Sequence, residues 1–187
     1  MSEIEDHALG QLARNIKLCL FDVDGVLTDG KIILGSGNTE LKAFDVKDGQ
    51  GLVMLREFVE VGVITGRKSE AVRERMSQLG IKHVFQGQKN KPAALVQLLE
   101  MLNLQPSEVC YVGDDLPDLA VMQLVGLPIA VADACTPVRE AARWCTIRRG
   151  GDGAVREVCD FILNAQGKLD SLVARAAVAQ IPVDQNN

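Results

Sequence analysis

The chain has 187 residues, 47% of them hydrophobic and 24% charged, with 4% aromatics and a net charge of −5. That length fits one domain with a sizeable core, and the composition excludes long disorder and low-complexity sequence. Neither the basic surplus nor the stacking aromatics of a nucleic-acid binder are present. The longest apolar stretch, Leu119 to Ala132, is broken by Gln123 and Pro128 and falls short of the roughly 20 residues that cross a bilayer.

The acidic start, MSEIEDH, has no apolar run of the kind that a secretory signal carries. The five cysteines are odd in number and form no CxxC pair, which argues against a disulfide framework or a structural zinc site. A reducing cytoplasm is the expected compartment. His7 and His83 lack metal-ligand spacing.

In chain order, the segment before Ile16 reads either as a helix packed on the domain or as a partner contact. Residues 16–21 (IKLCLF) form a continuous apolar run, as in a strand buried on both faces. Residues 31–46 read as a hairpin around the turn cluster Gly35-Ser36-Gly37-Asn38. A helix is predicted over 50–58 and a buried strand over 59–65. Ser69 can cap a helix to about Leu79 that Gly80 stops. A short strand over 83–85 and a helix over 92–103 follow. Then come a strand over 108–113, a helix over 116–125 and a strand over 127–132. Pro137 opens another helix, and an amphipathic helix is predicted over 153–165. Residues 166–187 lie outside the alternation, and the tail over 171–187 is expected to be mobile without a partner subunit. The fold class is thus α/β: one domain over 1–187, Rossmann-like, with a doubly wound parallel sheet.

Ligands of such sheets bind at the carboxyl ends of the strands. Asp22 and Asp24 follow the first strand, Thr65-Gly66-Arg67 the second, and Asp114, Asp115 and Asp118 the strand at 108–113. Lys91 begins the helix after 83–85. Carboxylates this dense repel one another unless a cation compensates, and an all-oxygen ligand set suits Mg²⁺. Thr65, the Gly66 and Gly113 amides and Lys91 are phosphate ligands by type. Seven basic residues against two acids between Thr65 and Lys91 agree with an anionic substrate. Acids for a metal beside donors for an anion point to phosphoryl transfer.

These motifs resemble the haloacid dehalogenase-type phosphohydrolases: DVDG (22–25), Thr65 in ITGR, Lys91, and GDD (113–115), in that order. The resemblance implies that Asp22 is the nucleophile and Asp24 the general acid and base. It implies Mg²⁺ on Asp22, the Asp24 carbonyl and Asp114, with Thr65, Gly66 and Lys91 on the phosphoryl group. Asp115 and Asp118 would support them from behind. The spacings leave no room for a large cap domain.

Over about Ile16 to Asp170 the chain is most similar to one capless branch, the 3-deoxy-D-manno-octulosonate 8-phosphate (KDO 8-phosphate) phosphatases. The stretches that carry this are FDVDGVLTDG (21–30), ELKAFDVKDGQG (40–51), GQKNKPAAL (87–95), YVGDDLPDL (111–119) and GGDGAVREVCDFIL (150–163). The branch implies a homotetramer built through the hairpin, with neighbouring subunits and the C-terminal tail closing the site. It implies that Asp45, Val46, Lys47, Asp48 and Gly49 line the sugar-acid pocket and that Arg67, Arg75 and Lys91 face the substrate. Val53 stands where the branch often has a basic residue, so a related nine-carbon sugar-acid phosphate is the alternative substrate. A silent tetrameric binding module is the alternative of another class, and the intact Asp22/Asp24/Lys91/Asp114 set argues against it.

Overall fold

The computed structural model of the chain describes residues 3–178. Helix α1 (Glu3–Arg14) leads into strand β1 (Leu18–Phe21). A short antiparallel hairpin follows, β2 (Ile33–Leu34) and β3 (Glu40–Leu41). The chain continues through α2 (Val46–Leu55), β4 (Glu60–Ile64), α3 (Glu70–Gln78), β5 (His83–Phe85) and α4 (Lys91–Leu102). Next come β6 (Val109–Gly113), α5 (Leu119–Met122), β7 (Leu127–Ala130), α6 (Thr136–Ala141) and β8 (Trp144–Cys145). Two helices, α7 (Ala154–Ala165) and α8 (Leu169–Ala177), close the described chain.

The six-stranded sheet has the order β5-β4-β1-β6-β7-β8, and every pair in it is parallel. From β1 the chain winds outward through β4 to β5, then returns across the sheet to β6 and winds the other way. Right-handed crossovers place α2 and α3 on one face and α4, α5 and α6 on the other. Helix α7 returns to pack on α2, and α1 packs on α7. Between β1 and β6 the winding reverses, and this crevice is where ligands of open parallel sheets bind. Register makes the crevice chemical. Phe21 sits level with Val63 and Val112, so the chain continues from these levels directly into Asp22, Thr65 and Asp114.

Burial explains the strand sequences. Every residue of β1 is buried, as are all five of β6 and all four of β7; strands covered on both faces read as unbroken apolar runs. Cys19, Cys110 and Cys159 are buried free thiols, so they serve as small apolar side chains.

Three expectations need correction. Helix α2 begins at Val46, four residues before the predicted start, because the Asp45 carboxylate accepts from the Lys47 amide and caps it. Gly49 and Gly51 lie inside it. A Cβ at Gly51 would stand 3.1 Å from Arg156 Cα and 3.2 Å from Cys159 Cβ, so this glycine lets α2 and α7 approach closely. The helix predicted over 116–125 is a 3₁₀ turn, Leu116–Asp118, followed by one α-turn. Ser69 occupies the cap position of α3, but its hydroxyl makes no cap bond; its amide donates to Gln86 Oε1 instead.

The sequence also concealed β8 and α8. β8 is a two-residue edge strand, too short for any periodicity. α8 falls in the region expected to be a mobile tail, but Leu172 is buried and Arg175 pairs with Glu57 at 2.7 Å. Residues 179–187 of that expected tail lie outside the described residues. The N-terminal alternative resolves in favour of a packed helix: Leu9, Ala13 and Ile16 are buried in the core.

Candidate active site

Asp22 follows β1 directly, and its amide donates to Val112 O at 3.0 Å, which ties it to β6. Lys91 is the first residue of α4, capped by Asn90, and only 4% exposed. Its ammonium lies 2.9 Å from Asp22 Oδ1 and 2.7 Å from Asp118 Oδ1. Asp118, 1% exposed, is fully engaged. Oδ1 accepts from Lys91 and from the Tyr111 hydroxyl at 2.6 Å, and Oδ2 accepts from the Asp114 and Asp115 amides at 3.0 and 3.3 Å. Asp118 therefore holds Lys91 and the Asp114 loop together.

Two carboxylates remain underserved. Among the described residues, Asp22 Oδ1 is paired with Lys91 but receives no aligned hydrogen bond, and Asp114 Oδ1 has no partner. Oxygens of Asp22, Asp114 and Asp118 lie within 4.8 Å of one another. Burial pushes Asp22 up to about 6, with Lys91 opposing the shift. Burial, aided by the charges of Asp22, Asp118 and Asp115, pushes Asp114 up to about 8. Burial alone would lower Lys91, but Asp22 and Asp118 outweigh it and hold the ammonium above its ordinary value. Buried, mutually repelling and donor-poor carboxylates are the expected apo form of a hard-cation site, so the residues present fit Mg²⁺.

Thr65 is buried, with its amide on Phe85 O at 2.9 Å and its carbonyl accepting from the Gln88 amide at 3.0 Å. Asp22, Asp24, Thr65, Gly66, Arg67, Lys91, Asp114, Asp115 and Asp118 all line one cavity of about 490 Å³. Gly30, Gln88 and Lys89 also line it, and sequence reasoning did not select them.

The remaining sugar-pocket residues lie elsewhere in this chain. Asp45 and Lys47 line a separate cavity of about 780 Å³ beside the start of α7. Val46 is exposed on α2. Asp48 is buried, and its carboxylate accepts from the Arg156 amide at 2.7 Å and the Gly153 amide at 3.4 Å, so it caps α7. Gly49 lies under the Arg75 guanidinium, where a Cβ would be 2.3 Å away. Helix formation from Val46 onward withdraws this stretch from the catalytic cavity.

Two further residues went unforeseen. Lys42, just past β3, is almost fully buried and pairs with Asp24 and, at 3.1 Å, with Glu40. Glu40 in turn binds Arg67. The hairpin thus sits directly over Asp24. The only signal was a charged residue in a hairpin strand. Tyr111, which orients Asp118, was hidden in an apolar strand.

The comparisons with known proteins agree with this geometry. Residues 68–158 match the haloacid dehalogenase-like hydrolases. The 3-deoxy-D-manno-octulosonate 8-phosphate phosphatase KdsC of Escherichia coli (strain K12) is 54% identical over 159 residues, 84% of this chain and 85% of that protein. The chain belongs to the KDO 8-phosphate phosphatase family. A crystal structure of the Moraxella catarrhalis member, in complex with magnesium ion, phosphate ion and KDO, superposes with a TM-score of 0.89. It is 44% identical, covering 91% of this chain and 98% of that one. A cobalt-bound structure of the Haemophilus influenzae phosphatase gives 0.82 at 40% identity, over 85% and 94% of the two chains. In this family member Val53 is half-buried on α2, packed against the core, and does not line the catalytic cavity.

Proposed function

We propose that this chain hydrolyses KDO 8-phosphate to KDO and inorganic phosphate. The observation that carries the reading is the Asp22–Lys91–Asp118 array facing the donor-poor Asp114 in one cavity. The similarity to KDO 8-phosphate phosphatases supplies the substrate.

An Asp22 carboxylate oxygen attacks phosphorus, and the bond from phosphorus to the sugar oxygen breaks. Asp24 gives a proton to the departing alkoxide. Asp24 then takes a proton from water, whose oxygen attacks the aspartyl-phosphate and releases phosphate and the free Asp22 carboxylate. Thr65, the Gly66 amide and Lys91 bind the phosphoryl oxygens, and Arg67 stands at the mouth to meet substrate anion. Asp22, the Asp24 carbonyl and Asp114 would hold Mg²⁺, which when bound neutralises charge building on the transferring group. Asp115 and Asp118 support the metal loop and Lys91. Asp45, Val46, Lys47 and Arg75 would meet substrate only where a second subunit contributes them, whereas Asp48 and Gly49 are buried in their own chain.

A homotetramer is the assembly that favours such closure. The hairpin exposes Ile32, Ile33, Leu34 and Leu41, with Leu34 at 75%, and large apolar side chains exposed together on one short element favour an interface there. The expected compartment is the cytoplasm, where KDO precursors and free thiols coexist. The test is phosphate release with Mg²⁺ across sugar-acid phosphates, hexose phosphates and nucleotides. Strong preference for KDO 8-phosphate supports the reading. Preference for a nine-carbon sugar-acid phosphate reassigns the substrate, and flat, weak activity refutes the assignment.

A further inference from the structure

The Gly150-Gly151-Asp152-Gly153 turn opens the GGDGAVREVCDFIL stretch (150–163), and the chemistry above leaves it unused. It lies far along the chain from the catalytic loops, yet it abuts one of them. A Cβ at Gly150 would stand 1.7 Å from Gly25 O and 2.5 Å from Gly25 C. A Cβ at Gly151, whose φ is +66°, would meet Asp29 N and Thr28 C at 2.5 Å. The Gly151 amide donates to Val26 O at 2.9 Å. On the other side of Gly25, whose φ is +99°, a Cβ would stand 2.1 Å from Asp114 Oδ2. Gly25 is therefore sandwiched between the Asp114 carboxylate and the Gly150 backbone, with no room for a carbon on either side.

The turn itself is anchored away from the reacting groups. The Gly150 amide donates to Asp133 Oδ1 at 3.0 Å, and Arg149 Nε reaches Asp133 Oδ2 at 3.2 Å. At its far end the Asp48 carboxylate caps α7 through the Gly153 and Arg156 amides. Asp133 follows β7, and Asp48 lies on α2. The turn is thus fixed to two elements that do not carry the nucleophile.

We infer that the Gly150-Gly151 turn is a positioning device: it seats the Asp24-Gly25 segment against Asp114 and so sets the spacing between the two loops that carry the cation ligands. This rests on the proposed Mg²⁺ site. A methyl on Gly150 leaves Gly25 O about 1.3 Å short of the 3.0 Å that real Cβ contacts require. Displacements of about 1 Å at a catalytic centre can cost about 10²-fold in rate. Gly150 and Gly151 do not line the catalytic cavity, so their effect on it runs through Gly25.

The test is Mn²⁺ binding to the full chain, followed by loss of the free-ion electron paramagnetic resonance signal, with circular dichroism as the check on folding. Wild type should bind, and Asp114→Asn should not. If wild type fails to bind, the proposed metal site itself is wrong, and the inference falls with it. Given binding by wild type, Gly150→Ala should raise the Mn²⁺ dissociation constant at least tenfold while its circular dichroism stays native. A control, Gly10→Ala, where a Cβ meets nothing within 4 Å, should leave it unchanged. Should Gly150→Ala not fold, Asp133→Ala decides, because it loosens the turn without inserting an atom. A several-fold weaker site in that variant supports the inference. An unchanged Mn²⁺ affinity in a folded Gly150→Ala or, failing that, in Asp133→Ala overturns it, because a turn needed only for stability would shift the melting temperature and leave the affinity alone.

Discussion

Asp114→Asn should stabilise the metal-free protein while abolishing its response to metal. Asp114 is an acid whose folded pKa is raised from 3.8 to about 8. The folded state therefore holds a proton there that the unfolded state has released, and stability declines as pH rises from about 4 to about 8. Taken whole, the shift corresponds to roughly 6 kcal/mol at 1.36 kcal/mol per unit. Asp114 is only half-buried and its charge is coupled to Asp22 and Asp118, so we take about 2 kcal/mol as the penalty at pH 8.5. An amide removes the charge, and its NH₂ can face the unserved Asp22 oxygen. For a domain of this size, about 2 kcal/mol raises the melting temperature by roughly 4–8 °C. At pH 6, about midway between the unfolded and folded values, the gain should fall to roughly half, about 1 kcal/mol, and it should vanish only near pH 4. Mg²⁺ at a hundredfold its dissociation constant should add about 2.7 kcal/mol to wild type and nothing to the variant, reversing their order. The assay is differential scanning calorimetry at pH 6 and 8.5, with chelator or Mg²⁺. A variant less stable than wild type in chelator at pH 8.5, or an equal response of both to Mg²⁺, would refute the electrostatic account.

Three further outcomes are expected. Tyr111→Phe removes the hydroxyl that bonds Asp118 Oδ1 at 2.6 Å; a loss of about 1 kcal/mol in stability and a roughly tenfold fall in kcat should follow, and unchanged kcat would show that Lys91 needs no such support. Asp48→Ala strips the cap from α7 and leaves two amides unbonded, so denaturant titration should show a loss of about 1–3 kcal/mol, and an undiminished midpoint would contradict the cap. If the proposed tetramer forms through the hairpin, Leu34→Glu should leave smaller species in light scattering; an assembly unchanged by the substitution would move the interface elsewhere.

The parts of the site that the sequence disclosed are those where chemistry and position coincide. Asp22, Thr65, Lys91 and Asp114 each stand immediately after a strand or at the start of a helix, and apolar runs mark strands buried on both faces without ambiguity. Tyr111 and Lys42 broke that logic in opposite directions. Tyr111 is hidden because its ring satisfies the apolar strand pattern and only its hydroxyl is functional. Lys42 is hidden because its burial depends on where a hairpin folds, which no local pattern encodes. The same limit applies to Asp45 to Gly49. Their polar and glycine-rich composition reads as a loop, but the Asp45 cap and the close packing of Gly51 on Arg156 and Cys159 favour helix, a tertiary effect that overrides propensity. β8 and α8 depend on pairing with β7 and on one buried residue, Leu172, so neither has a pattern of its own.

The central claim is that Asp22 carries the phosphoryl group. Its most direct test uses Asp24→Asn, in which removal of the base should stall hydrolysis of the intermediate. The protein is mixed with Mg²⁺ and a phosphomonoester with a good leaving group, quenched in acid, and mapped by mass spectrometry. The account predicts a phosphoryl group on the peptide at Asp22, absent when Asp22→Asn is added. A phosphoryl group on another residue, or turnover that survives Asp22→Asn alone, would contradict it.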